Sequence, residues 1–234
     1  MRIFRHAMNS VVSVFVNTCE NGRRAVSDAA VLLAHSLIMN GGVVAVPTDT
    51  IYGLAALAQL SEAVDRMYDI KGRDAIKPIA ICVGDVEEIR KWCRVTVSEQ
   101  LLHDLLPGPV TLVFERLPVV NSRLNPNTDL LGIRIPKNDF IRSVCRMCDS
   151  ALALTSANIS SEKSCLSVNE FKHLWPHLNA VFDGGLLTED TDRLGSTVVD
   201  LSRIGYYRII REGCAFKKIK HLLEDKYLLK KVSQ

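Results

Sequence analysis

Residues 42–54, GVVAVPTDTIYGL, join an apolar strand directly to a loop rich in hydroxyl groups. Residues 43–46 are all apolar, which is typical of a strand in a sheet covered on both faces. Pro47 ends this strand, and Thr48, Asp49 and Thr50 then offer hydroxyl and backbone N–H groups to a small polar ligand. The same residues also suit a connection from a strand to a helix, with Thr48 or Asp49 as its N-cap. The stretch therefore predicts a buried strand and leaves the role of the loop open.

Helices and strands alternate outward from this stretch. The pattern predicts helices at residues 25–40, 61–71, 98–106 and 138–148, and strands at 79–83, 110–114, 130–135, 151–154, 196–201 and 206–211. Ser61 is predicted to cap the helix at residues 61–71, and capping boxes are predicted at Asp85 with Glu88 and at Ser167 with Glu170. This order indicates one α/β domain over about residues 25–215. In open α/β sheets, ligands usually bind at the loops that follow strands.

The composition is that of a soluble globular protein. The chain has 234 residues, of which 47% are hydrophobic, so it can bury a sizeable core. Seven cysteines without regular disulfide spacing favour a reducing compartment, the cytoplasm. No apolar run is long enough to span a membrane. Residues 1–24 precede the domain and suit either a mitochondrial targeting segment or an unstructured leader, so a mitochondrial share of the protein stays open.

The positive charge of the chain is concentrated at its C-terminus. The net charge is +3, and residues 217–234 carry six lysines against Glu224 and Asp225. Residues 216–234 are therefore predicted to form a Lys-rich helix or tail outside the domain. A solvated terminal helix is the favoured interpretation, and contact with the phosphates of tRNA is the alternative.

Three cations, Lys71, Arg73 and Lys77, stand within seven residues just before a predicted strand. Cations placed this way can neutralise a triphosphate and the charge that develops during attack at phosphorus. They are equally typical of a helix C-terminus, where positive side chains suit the helix dipole. The cluster alone does not decide between these readings.

Arg134 is the strongest single-residue signal, because it stands inside an apolar strand. A buried guanidinium is costly unless it is paired, so Arg134 should contact a carboxylate or a phosphate. That partner is either a ligand or an acidic residue of the chain itself.

Further polar clusters follow other predicted strands. Ser156 and Asn158 can hydrogen-bond a substrate or form an ordinary turn. Gly195 and Ser196 allow close approach of a ligand to the backbone, and Arg211 can reach a phosphate. Cys145 and Cys148 have no second pair at zinc-site spacing, so no metal site is predicted.

Six motifs occur in one order: Pro-Thr-Asp-Thr-Ile-Tyr-Gly-Leu, Lys-Gly-Arg, Pro-Gly-Pro-Val-Thr, Gly-Ile-Arg-Ile-Pro, Ser-Ala-Asn and Gly-Ser-Thr-Val-Val-Asp, at residues 47–54, 71–73, 107–111, 132–136, 156–158 and 195–200. In this combination the sequence resembles the YrdC family of threonylcarbamoyl-AMP synthases over about residues 25–215. The resemblance implies a twisted open mixed sheet flanked by helices, with a large positively charged cavity.

The resemblance also implies an activity and a set of residue roles. The enzyme would condense L-threonine with bicarbonate and adenylate the carbamate with ATP and magnesium, for threonylcarbamoyladenosine in tRNA. A tRNA threonylcarbamoyltransferase would act downstream. Lys71 and Arg73 would be catalytic. The residues implied to bind threonine are Thr50, Arg134, Ser156 and Ser196; those implied to bind nucleotide are Arg73, Lys77, Asn158 and Arg211.

Two features depart from the family pattern. Cys82 stands where many relatives have a histidine, and Lys163-Ser164-Cys165-Leu166 replaces a Pro-Ser-Pro-Thr segment. A non-enzymatic alternative also remains, in which the positive concavity binds double-stranded RNA or tRNA without catalysis. The Ser156 and Asn158 side chains favour the enzyme, since RNA phosphates do not require them.

Overall fold

The computed structural model describes residues 26–72, 78–159, 162–189 and 192–232, together with three short N-terminal strands. The predicted leader, residues 1–24, lies outside these ranges except for the backbone of those strands. Arg73 and Lys77 lie outside the described residues as well. Within the described ranges, no helix is long and apolar enough to cross a membrane.

Twelve of the strands in the described part of the chain form one twisted mixed sheet. Its order is β1-β11-β4-β5-β10-β6-β9-β8-β12-β13-β14, with β7 paired to β8, while β2 and β3 form a separate hairpin. The strands are β1 Val12–Val14, β2 Cys19–Glu20, β3 Arg23–Arg24, β4 Val44–Val46, β5 Gly53–Leu57, β6 Ala80–Cys82, β7 Cys93–Arg94, β8 Val110–Arg116, β9 Leu130–Arg134, β10 Leu152–Ser156, β11 Ala180–Phe182, β12 Thr197–Asp200, β13 Tyr206–Arg211 and β14 Lys230–Lys231.

The helices lie between these strands. They are α1 Asp28–Met39, α2 Ser61–Ile70, α3 Glu99–Leu105, α4 Asp139–Cys148 and α5 Phe216–His221. Residues Val86–Lys91 and Val168–His177 are 3₁₀ segments, and α5 continues as a π-helical turn over Leu222–Lys226. The predicted helix and strand order is confirmed for most elements, with ends shifted by one to three residues.

Side chains alternate along each strand and build a core on each face of the sheet. One core, between the sheet and α1 and α4, contains Val44, Ala55, Cys82, Leu154 and Phe182. The larger core on the other face takes Ile133 from β9 and Leu112 from β8. The sequence neighbours of those two residues, Arg134 and Thr111, therefore point to the opposite face, which carries the core under α1 and α4. A polar site therefore lies on the same face of the sheet as the core under α1 and α4.

The loop of residues 47–52 differs from one of the two predictions made for it. It joins β4 to β5, which pair antiparallel with Val46 opposite Gly53. The connection is thus strand to strand, and the alternative of a helix capped by Thr48 or Asp49 is wrong. Ser61 is likewise the first residue of α2 and not its cap, because Leu60 occupies the N-cap.

Candidate active site

The loop between β4 and β5 is organised by the hydroxyl of Thr48. This oxygen accepts the N–H groups of Thr50 and Ile51, at 3.2 and 3.3 Å, and donates to the carbonyl of Ile51 at 2.7 Å. Thr48 and Thr50 are both buried, with their hydroxyl oxygens 3.2 Å apart. The motif therefore folds into a rigid turn that presents two hydroxyl groups at the end of a buried strand.

Arg134 extends its guanidinium across to this turn. Its Nη2 lies 2.5 Å from Oδ1 of Asp49, 2.5 Å from Oγ1 of Thr50 and 3.3 Å from Oγ1 of Thr48. The other carboxylate oxygen of Asp49 accepts the N–H of Lys137 at 2.9 Å, which fixes the carboxylate in turn. The prediction that Arg134 is buried and paired is confirmed, and the pairing partner within the chain is Asp49.

Arg134 retains unused hydrogen-bonding capacity. It is only 7% exposed, and its Nε has no hydrogen-bond partner among the described residues. A buried donor without a partner is costly, which is why such groups commonly mark a ligand position. The guanidinium is held by one carboxylate and two hydroxyls, and this leaves it suited to a second, ligand carboxylate.

A second arginine, Arg211, meets Ser196 beside this group. Its Nη2 donates to the carbonyl of Ser196 at 2.8 Å and lies 3.2 Å from the Ser196 hydroxyl. That hydroxyl is 2.8 Å from Oγ1 of Thr111, and both hydroxyl residues are buried. Loss of hydration, followed by the positive charge of Arg134, lowers the pKa of Arg211. Two mutually repelling guanidinium groups in one site favour the binding of an anion.

The backbone at Ser196 is held by close packing with Gly213. A Cβ atom placed on Gly213 would lie 2.4 Å from the backbone of Gly195, Ser196 and Thr197, so only glycine fits there. The N–H of Cys214 donates to the Gly195 carbonyl at 3.1 Å. Ser196 therefore has a fixed position relative to the end of β13, which carries Arg211.

Lys71, Ser156 and Asn158 form a third group, at the end of β10. The amine of Lys71 is fully buried and donates to the carbonyl of Ser156 at 2.5 Å and to the carbonyl of Asn158. The Ser156 hydroxyl lies 3.4 Å from the same nitrogen. The structure thus brings together the predicted residues Lys71, Ser156 and Asn158, with the lysine holding the backbone of the loop.

Asn158 is oriented by its own loop and keeps one free acceptor. Its Nδ2 donates to the carbonyls of Ile159 and Glu162, at 2.9 and 2.8 Å. Its Oδ1 is buried without a hydrogen-bond partner among the described residues. A ligand hydroxyl or amino group would satisfy this oxygen. An open pocket of roughly 490 Å³ adjoins the loop and is lined by Glu162, Lys163, Cys165, Glu170, His173 and Arg193.

Cys82 does not contribute its side chain to this site. It pairs in register with Arg134, but its thiol is fully buried against α4, 3.6 Å from the sulfur of Cys145. The backbone of β6 therefore supports Arg134, while the thiol fills the apolar core where many family members are expected to have an imidazole.

The described site residues do not supply a set of ligands for magnesium, which prefers several oxygen ligands. The one carboxylate in contact with Arg134 is that of Asp49, and both of its oxygens already accept hydrogen bonds. The described ranges contain one cluster with metal-ligand spacing, the exposed residues Glu87, Glu99 and His103, and these lie on other elements.

Three features of the site region were not predicted from the sequence: Asp49 as the partner of Arg134, and any role for Thr111 or Tyr52. All three lie inside the quoted motifs, so the motif boundaries were the available signal. Their contacts are with residues 85 to 133 positions away. Local pattern cannot reveal such partners.

Comparison with known proteins places the chain in a family. The sequence model of the Sua5/YciO/YrdC family, described as "Telomere recombination", matches residues 36–213. The chain is 52% identical over 192 residues to a bovine threonylcarbamoyl-AMP synthase, covering 81% of this chain and 70% of that one. The human protein of the same name is 53% identical over 190 residues, covering 80% of this chain and 68% of that one.

The fold gives the same result. The crystal structure of Sua5 from Pyrococcus abyssi complexed with L-threonine superposes with a TM-score of 0.79 at 26% identity. The match covers 89% of this chain, and this chain spans 60% of the length of the archaeal protein. With the family model covering most of the chain and with two relatives more than half identical to it, this protein belongs to the Sua5/YciO/YrdC family.

Proposed function

We propose that this protein is a threonylcarbamoyl-AMP synthase. It condenses L-threonine with bicarbonate and adenylates the resulting carbamate with ATP, releasing pyrophosphate. The observation that carries the proposal is the buried Arg134, whose guanidinium is held by Asp49 and Thr50. The pair formed by Ser196 and Arg211 lies beside it. This arrangement suits a small α-amino acid, and the proteins most similar in sequence carry this activity in their names.

Threonine binds through its carboxylate in this proposal. The carboxylate accepts hydrogen bonds from Arg134, which has a buried Nε available. The hydroxyls of Thr50 and Ser196 orient the remaining polar groups, and the Asp49 carboxylate keeps the guanidinium from rotating. The chain thereby fixes the amino group in one place, so that the neutral amine can attack carbon dioxide derived from bicarbonate.

The adenylation step is a displacement at phosphorus. A carbamate oxygen forms a bond to the α-phosphorus of ATP, and the bond from that phosphorus to the bridging β-phosphate oxygen breaks, with pyrophosphate leaving. The protein contributes position and positive charge, as is general for phosphoryl and nucleotidyl transfer. Arg211 supplies one cation at the site, and Arg73 and Lys77 are proposed to supply others. Magnesium would enter with the nucleotide and would help to neutralise the phosphate charge.

The product is a reactive mixed anhydride, which a downstream tRNA threonylcarbamoyltransferase would consume. Binding of RNA without catalysis is not favoured, because Lys71 and Arg134 are buried and cannot reach the backbone of a duplex.

Pyrophosphate release with ATP, magnesium and bicarbonate, measured with and without L-threonine, tests the function. Release should depend on threonine. In Arg134→Gln, the KM for threonine should rise about ten- to a hundredfold, because the variant loses a charge-assisted bond to the carboxylate.

Arg123→Gln is the matched control, since Arg123 forms an exposed ion pair with Asp65 on another part of the molecule. Its kinetics should equal those of the wild type. Threonine-independent pyrophosphate release by folded wild-type protein would exclude the proposed reaction.

A further inference from the structure

Tyr52 is fully buried and connects three loops around the site. Its backbone N–H donates to the carbonyl of Cys165 at 2.9 Å, and its carbonyl accepts the N–H of Ala157 at 2.9 Å. Ala157 stands between Ser156 and Asn158. The backbone of Tyr52 therefore joins the loop of Thr50 to the loop that carries the proposed nucleotide contacts.

The side chain of Tyr52 reaches a third segment, the turn after β11. Its hydroxyl lies 2.8 Å from the carbonyl of Gly185 and 3.2 Å from Oδ1 of Asp183, and it accepts the N–H of Gly184 at 2.8 Å. The Asp183 oxygen also accepts the N–H of Gly185 at 2.8 Å. One hydroxyl thus satisfies the main polar groups of this turn. Burial, with the nearby Asp183 charge, raises the pKa of Tyr52, so the hydroxyl stays protonated and able to donate.

The turn held by Tyr52 packs directly on Pro47, the first residue of the motif at residues 47–54. A Cβ atom placed on Gly184 would lie 2.8 Å from Cβ of Pro47, so the backbone of Gly184 packs directly against the Pro47 ring. Pro47 immediately precedes Thr48, whose hydroxyl organises the loop that contacts Arg134. Movement of the turn would therefore be transmitted through Pro47 to Thr50 and Arg134.

We propose that Tyr52 is a positioning residue that holds the threonine-binding loop in register with the Ser156–Asn158 loop, through its hydroxyl contact with the turn of Asp183–Gly185. This role deepens the proposed synthase function and rests on it. The hydroxyl of Tyr52 bonds to the turn of Asp183–Gly185, so it acts through the placement of Thr50, Arg134 and Asn158.

Tyr52→Phe removes the hydroxyl and keeps the ring, whose centroid lies 5.5 Å from that of Phe171. Tyr207→Phe is the matched control. Tyr207 is also buried, and its hydroxyl also donates to a carboxylate, that of Glu224, but it sits on β13 with the C-terminal segment. Tyr207→Phe loses the bond to Glu224, whereas Tyr52→Phe loses a donated bond and the bond accepted from Gly184, so urea unfolding of both variants separates a loss of stability from a loss of positioning.

The expected result is a five- to twentyfold lower kcat/KM for threonine in Tyr52→Phe, with Tyr207→Phe within about twofold of the wild type. Asp183→Ala, which removes a second contact of the same turn, should shift kcat/KM in the same direction. Equal kinetics of the two Tyr→Phe variants would overturn the proposal.

Amide hydrogen exchange provides a readout independent of turnover. In Tyr52→Phe, the amides of Thr50, Ala157 and Gly184 should exchange faster, while those of β13 should not. Unchanged exchange at these three amides would overturn the positioning role even if activity falls. A wild-type protein without threonine-dependent pyrophosphate release would instead reject the proposed function, and the exchange comparison would still decide whether Tyr52 couples the loops.

Discussion

Two buried cations in this site have different surroundings, and their side chains should serve different purposes. Arg134 faces a carboxylate and two hydroxyls and retains a donor without a partner among the described residues. Lys71 directs its amine at the carbonyls of Ser156 and Asn158. An ammonium bound to carbonyls holds backbone in place, whereas a guanidinium with a spare donor can receive a ligand.

Lys71→Met tests whether the lysine acts on the loop or on the substrate. The change keeps the length of the side chain and leaves two buried carbonyls without their donor, at a cost of about 1–3 kcal/mol for each group. We expect the free energy of unfolding in urea to fall by about 2–4 kcal/mol and the KM for ATP to rise.

Lys172→Met is the control, because Lys172 is exposed on the segment Val168–His177. This substitution should leave the free energy of unfolding and the KM for ATP unchanged. If Lys71→Met keeps its stability and loses only turnover, the lysine contacts the reactants directly, as the family resemblance implies.

Individual residues could be predicted where the sequence alone showed that a buried group requires a partner. Arg134 could be selected from sequence because a charge in an apolar strand requires a partner wherever the chain goes. Asp49 could not be identified as that partner, and Tyr52 could not be given a role, because the residues they contact, Arg134 and Gly185, lie far away in the sequence. Arg73 and Lys77 stay predictions, since they lie outside the described residues.

At the scale of elements, the sequence pattern was informative where the apolar runs were strong. β8 and β13 were predicted nearly to their ends because β-branched and aromatic residues are frequent in them, and β9 was predicted from its apolar residues Leu130, Leu131 and Ile133. β5 was not predicted, since Gly53-Leu-Ala-Ala-Leu57 contains small residues of low strand propensity, and only its pairing with β4 and β10 makes it a strand. β11, Ala180–Phe182, was also not predicted.

The two predicted capping boxes had different outcomes. Asp85 and Glu88 form one, with the Asp85 N–H donating to Glu88 Oε1 at 3.0 Å. Ser167 and Glu170 do not, because the Ser167 hydroxyl lies 3.1 Å from Glu170 Oε1 and the other oxygen of Glu170 pairs with Arg193. A tertiary ion pair therefore replaced the local motif.

The confirmed box also ties the segment Val86–Lys91 to α4, which makes it sensitive to acid. Asp85 accepts bonds from Arg146 at 2.6 and 2.7 Å and from Arg142 at 3.1 Å, and these lower its pKa to about 2. Because the folded pKa lies below the unfolded one, near 3.8, the carboxylate stabilises the fold above about pH 4, and this contribution is lost as the pH falls toward 2.

Asp85→Asn should therefore lower the free energy of unfolding by roughly 1 kcal/mol at pH 7, with the difference from wild type vanishing near pH 2. Chemical unfolding at several pH values measures this. Asp65→Asn, which alters the exposed pair with Arg123, is the comparison. A difference that stays constant between pH 7 and pH 2 would show that the charge of Asp85 is not its cause.

At the scale of the whole molecule, the C-terminal segment is packed onto the domain through one face. Ile219 and Leu223 are buried in the larger core, and Lys226 and Tyr227 both donate to Asp104 on α3 at 2.5 Å. β14 then pairs with β13, placing Lys230 beside Tyr206. Lys217, Lys218 and Lys220 are exposed on the opposite face of the same segment. The positive charge of this segment is thus carried by a surface whose other side is core.

This division predicts opposite effects from changes on the two faces. Leu223→Ala should lower the free energy of unfolding by about 2–5 kcal/mol, because it opens a cavity in the core that β13 and Arg211 depend on. Replacing Lys217, Lys218 and Lys220 together by glutamine should change it by less than about 0.5 kcal/mol. Urea unfolding measures both, with threonine-dependent pyrophosphate release followed alongside.

If Leu223→Ala unfolds like the wild type, residues 216–234 are a tail separate from the domain, as their composition alone predicts. If Leu223→Ala is destabilised as expected, the cooperatively folding unit extends past residue 215. Any RNA contact made by the exposed lysines is then made by the catalytic domain.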